Sequence, residues 1–110
     1  MSWDATATVT HEVDGDESTF EVLAVNYTHN CNRMIREAGW PEFWPRESLG
    51  SDEVAAKLGM VIDTMSAQRR RFEAMNPENK WGSYESLLAV LHEMRRAALQ
   101  WPSAKWEFYG

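Results

Sequence analysis

The alternation of apolar and polar positions divides the chain into six elements. Thr6–Val13, "TATVTHEV", and Thr19–Val25, "TFEVLAV", are rich in β-branched residues and partly follow the two-residue period of a half-buried strand. Asp14-Gly15 in the intervening "DGDES" is a strong turn signal, so the two segments read as a β-hairpin. Cys31, Met34, Ile35 and Ala38 then fall at i, i+3, i+4 and i+7, one face of a short helix with Thr28 as N-cap and Gly39 at the C′ position. Trp40–Gly50, "WPEFWPRESLG", is a connector with two prolines, whose three aromatics are expected to fold back onto the core. A second helix starts at a Ser51 cap, with Asp52 and Glu53 favourable to its dipole. Its stripe is Val54, Leu58, Val61, Ile62, Met65 and Phe72, and it is expected to run to about Ala74, where Asn76-Pro77 ends it. Ser83 caps a third helix that buries Tyr84, Leu87, Leu88, Leu91, Met94 and Ala98 and stops at Trp101-Pro102. "AKWEF", Ala104–Phe108, closes the chain as a strand.

The order is β-β-α-α-α-β: an α+β single domain, 1–110, with a small antiparallel sheet and helices packed on one face. Short connections favour antiparallel neighbours. The first and third helices then run the same way, and the closing strand pairs with the first, giving the order second, first, last. The polar loops Asn26–Asn30 and Asn76–Tyr84 precede those two helices, so they are expected to meet at one end of the molecule although far apart in sequence.

Composition narrows the class. Apolar residues make up 44% and charged residues 25%, which suits a folded globular chain. No apolar run approaches the ~20 residues of a membrane helix. No basic-then-apolar leader is visible at the N-terminus, and the single Cys31 suggests a reducing compartment, so the expected location is the cytoplasm. A formal charge of −6 disfavours broad nucleic-acid binding. Six tryptophans are many for this length, and some are expected at a subunit interface or in a pocket, which points to a homo-oligomer.

The candidate chemistry lies in the two loops. Helix N-termini present free amides and a partial positive charge, which suits phosphate. Asn26, Thr28, His29, Asn30, Asn76, Asn79 and Ser83 flank them, with Arg33 and Arg36 one turn in. Trp81 and Tyr84 offer rings for a base, and Gly82 offers close backbone approach. The competing reading is that the small polar residues only cap helices and Trp81 covers the core edge. His29-x-Cys31 lacks the paired spacing of a zinc site, and no metal or cofactor is expected. In "QRRRF", Arg69 lies nearest the apolar stripe and is the arginine expected to turn inward toward a partner or ligand. No catalytic constellation is evident.

"NYTHN…M…REAG", Asn26–Gly39, and "NPENKWGSYESL", Asn76–Leu87, resemble a family of small phage and prophage proteins. These pair an Asn-x-Thr-His-Asn stretch with an Asn-Pro-x-Asn-x-Trp-Gly-x-Tyr-Glu stretch, and the resemblance spans residues 20–108. The chain departs from them in Trp40–Gly50 and in its "AKWEFYG" end. The resemblance implies a phage setting and no known catalytic role. By analogy with phage sponges it implies a non-enzymatic protein that sequesters a nucleotide-derived immune signal in the host cytoplasm as counter-defence. The residues carried over are Asn26, Thr28, His29, Asn30, Trp81, Gly82, Tyr84 and Glu85. The alternative is a protein-interaction module that inhibits or modulates a host protein. A third reading is a nucleotide-directed enzyme using Glu85, His29 or His92.

Overall fold

A computed structural model of the chain describes residues 2–44 and 48–110. The hairpin is longer than the alternation indicates: β1 spans Ser2–Val13 and β2 spans Asp16–Thr28. Asp14 (φ 54°) and Gly15 (φ 83°) both take the left-handed conformation of a two-residue hairpin turn. A short strand, β3 (Leu49–Gly50), and the closing strand, β4 (Lys105–Tyr109), complete an antiparallel sheet of order β2-β1-β4-β3. The expected order of second, first and last strand therefore holds, with β3 added at the edge.

Alternation along β1 puts Trp3, Ala5, Ala7 and Val9 on the buried face, joined by Trp106 and Phe108 of β4. The helices are α1 (Asn32–Glu37, entered through a 3-10 turn at His29–Cys31), α2 (Ser51–Ala67), α3 (Arg69–Glu73) and α4 (Tyr84–Gln100). The predicted apolar stripes are buried throughout, apart from a half-buried Leu88.

Two expectations need correction. The second helix does not run unbroken to Ala74; it breaks at Gln68. The Tyr84 hydroxyl donates to the Met65 carbonyl at 3.0 Å, the acceptor that a continuous helix would give to the Arg69 amide. Ser51 is the first residue of α2 and makes no capping bond. Its buried hydroxyl donates to the Trp101 carbonyl (2.7 Å) and accepts from the Trp106 indole (2.9 Å), tying α2 to both ends of the α4–β4 turn.

Trp3, Trp40 and Trp106 are wholly buried, so half of the tryptophans are used in the core. Of the connector aromatics, Trp40 and Phe43 return to that core and Trp44 is half-buried. Pro45 and the rest of 45–47 lie outside the described residues.

Candidate functional site

The two polar loops meet. Asn30 Nδ2 donates to Asn79 Oδ1 and to the Trp81 carbonyl, each at 3.4 Å. The Tyr27 hydroxyl accepts from the Ser83 amide (3.1 Å) and lies 2.6 Å from Ser86 Oγ. Gly82 (φ 89°) packs against side chains of the first loop. A Cβ built there would lie 2.7 Å from Thr28 Cγ2, 2.9 Å from Cys31 Sγ and 3.0 Å from the Tyr27 hydroxyl. The glycine serves contact between the two loops.

Much of the polar chemistry at this junction is satisfied internally. Ser83 and Ser86 form a capping box on α4, and Asn76 Oδ1 accepts the Tyr84 amide at 2.7 Å. The Asn79 side chain accepts the Trp81 amide, and Thr28 accepts the Asn30 amide. Of the first amides of α4, those of Tyr84 and Ser86 are thus taken by the chain's own oxygens.

The other predicted residues separate. Asn26 bonds across the hairpin to Ser2 and Asp4. Arg33 pairs with Glu37 on its own helix (3.3 Å) and joins no cluster with the loops among the described contacts. His29 Nδ1 lies 2.9 Å from Asn32 Nδ2, and its ring meets the Trp44 edge. Tyr84 is buried, with Arg69 5.6 Å over its ring. Trp81 is 66% exposed.

Beside this junction, α2, α3 and α4 border an open groove of about 440 Å³, lined by Ser66, Arg69, Tyr84, Glu85, Leu88, Ala89 and His92. Arg69 pairs with Glu73 (3.0 Å) and Glu85 (3.2 Å). Its hydrogen bond to Glu73 holds the guanidinium pKa above its ordinary value. The break at Gln68 starts a new helix at Arg69, whose side chain lies over Tyr84. The groove mixes a permanent cation, a carboxylate, an imidazole and an apolar floor.

Sequence reasoning missed Tyr27, the hub of the junction, and Ser86, its partner. The signal for Ser86 was its place three residues after Ser83. Nothing in the sequence distinguishes Tyr27 from an ordinary strand tyrosine. Burial pushes the Tyr27 phenol and the Cys31 thiol above their ordinary pKa values, which keeps the thiol protonated and unreactive. Among the described residues no group of three His, Cys, Asp or Glu side chains is placed to hold a metal, and no helix is long and apolar enough to cross a membrane. Comparison with known proteins finds no match among family models, curated sequences or solved structures.

Proposed function

We propose that the protein is a non-catalytic binder of a small, nucleotide-derived ligand held in the groove between α2–α3 and α4. The observation that carries this reading is the groove: its volume suits a small molecule, and Ser66, Arg69, Glu85 and His92 surround a floor of Leu88 and Ala89. Arg69 supplies the phosphate contact by exchanging one of its carboxylate partners for the ligand. Trp81, exposed in the loop that leads into α4, supplies a stacking ring. The capped amides of α4 stay with the protein, so arginine replaces the helix terminus as the main anion contact. The phage setting and the role as a counter-defence sponge rest on the motif resemblance.

The test is a thermal-shift screen of cyclic nucleotides and ADP-ribose derivatives, with recovery of the intact ligand by mass spectrometry. One ligand class is expected to raise the melting temperature, and Arg69→Ala to abolish the rise. No shift with any compound, for protein shown to be folded, overturns the reading. Recovery of a converted ligand would replace it with an enzyme. The exposed Trp81 also suits a second reading, a module that docks on a host protein. A host protein retained from lysate by the wild type and lost with Trp81→Ala, without any ligand-induced shift, would favour it.

A further inference from the structure

The outer half of the hairpin stands clear of the rest of the molecule. β4 pairs with β1 only from Asp4 to Thr8, and every residue from Thr10 to Glu21 is exposed. The radius of gyration, 14.8 Å, exceeds the about 13 Å expected for a compact chain of this length, and the longest extent is 54 Å. This arm is amphipathic. Val9, His11 and Val13 continue the face that buries Trp3, Ala5 and Ala7, and the register sets Phe20 opposite Val9 and Asp16 opposite Val13 on that same face. Val13 is 63% and Phe20 53% exposed. Two apolar side chains, Val13 and Phe20, thus stand exposed beside His11, Ser18 and Asp16 on a sheet face that the helices do not cover.

The charge is equally one-sided. The hairpin holds Asp4, Glu12, Asp14, Asp16, Glu17 and Glu21, and no Lys or Arg precedes Arg33. The remaining eleven carboxylates and eleven bases cancel, so the whole formal charge of −6 sits on the hairpin, turn included. Glu12 and Glu17 even face each other directly across the hairpin, a pairing that destabilises it. At the C-terminal half of α4, His92, Arg95, Arg96 and Leu99 line a second depression of about 180 Å³. Leu99 is 59% exposed. Among the described residues neither arginine is in an ion pair.

We infer that the arm is an interaction surface for a second copy of this chain, docking its Val13–Phe20 face, with Asp16 on that face and Asp14 at the tip, on the Arg95, Arg96 and Leu99 surface of α4 in the partner. Charge selects this contact over the obvious alternative, pairing of the free β2 edges, which would bring two acidic arms together. Reciprocal exchange uses each arm and each α4 surface once and closes as a two-fold dimer. It also doubles the area that one hairpin contact buries, toward the about 1,200–2,000 Å² of stable interfaces.

The experiment is sedimentation or light scattering of the intact chain over a concentration and salt series. A dimer that dissociates as salt rises is expected. Arm variant Asp14→Lys with Asp16→Lys, and helix variant Arg95→Glu with Arg96→Glu, should each weaken self-association at least about tenfold. Mixed together, the two variants should form a mixed dimer, in which one contact is native and the other has its charges exchanged. A wild type that stays monomeric at every soluble concentration overturns the inference. So does a dimer unaffected by either pair of changes, or a mixture of folded variants that fails to reassociate. A basic host protein captured by monomeric wild type would assign the arm to that partner instead. The ligand groove is tested separately, because Arg69 is untouched in both variants.

Discussion

β1 and β2 run through two environments. From Trp3 to Val9 the inward face of β1 lies under helices, and Trp3 is wholly buried beside Tyr27, Phe43 and Trp44. From Thr10 to Glu21 the same hairpin, with the same alternation, is covered by nothing in its own chain. Secondary structure is therefore a poor guide to where this fold is stable. A strand becomes core only where a second layer meets it, and the layers here end near the level of Thr8, the last β1 residue paired with β4.

The largest expected effect tests that contrast. Trp3→Ala should cost about 3–5 kcal/mol by removing a buried ring. Phe20→Ala, measured in dilute protein where self-association is absent, should cost less than about 1 kcal/mol. Urea unfolding followed by tryptophan fluorescence decides it, and comparable losses at the two sites would show that the arm is part of the cooperative core.

Two glycines sharpen the comparison at matched backbone geometry. Gly15 at the arm tip and Gly82 at the loop junction both have positive φ, 83° and 89°. An alanine pays about 1–2 kcal/mol for that conformation at either place. A Cβ at Gly15 meets nothing within 4 Å, whereas at Gly82 it meets three atoms at 3.0 Å or less. Gly82→Ala should therefore cost a further ~1–3 kcal/mol from overpacking, read as the difference between the two variants in the same denaturation assay. Equal losses would mean that the loops separate without penalty.

The meeting of those loops was legible because it follows from rules about connection length. Ser83 caps α4 as expected, whereas Thr28 caps the 3-10 turn that leads into α1 and not α1 itself; the expected alternation of direction still brings the two loops together. The break at Gln68 was not legible, because the Met65 carbonyl that the helix would use is taken by a hydroxyl from Tyr84, distant in sequence. Nor was β3, since two residues carry no period. The site was legible in part. The polar residues of both motifs do come together, but their hydrogen bonds are largely spent on each other, and only pairing in space could reveal that. Asn26 and Arg33 bond within the hairpin and along α1 instead. Arg69 was expected to turn inward; it lies over the Tyr84 ring but stays exposed, because Glu73 and Glu85 hold it at the surface. The groove that Arg69 shares with His92 needed the crossing of α2 and α4.

The junction also has a pH signature. Burial raises the Cys31 thiol and the Tyr27 phenol above 9.0 and 10.0, their ordinary values. Below about pH 7.5 both groups are protonated in the folded and unfolded chains, and they add no pH dependence. As pH rises past the ordinary values, the unfolded chain ionises first, so the folded state binds more protons and loses stability. Melting temperature should therefore fall between about pH 9 and 11. Cys31→Ala should remove the earlier part of that fall and Tyr27→Phe the later part. A slope unchanged in both variants would assign the alkaline loss to other groups.

The smallest effect concerns the pair Glu12 and Glu17, which face each other across the exposed arm. Two carboxylates in direct cross-strand register repel, and exchanging one for lysine turns repulsion into attraction worth about 0.2–1 kcal/mol. Glu17→Lys should thus slow amide exchange between Thr10 and Glu21 while leaving global unfolding nearly unchanged, because the core lies elsewhere. Glu17 lies on the face opposite Phe20, so if the arm docks on the arginines of a second chain, the same substitution should strengthen the arm and, through the arm's net charge, weaken the dimer. A purely structural arm would show only the first change. Opposite signs from one side chain would mean that the acidity is kept at the expense of the hairpin's own stability, because a partner uses it.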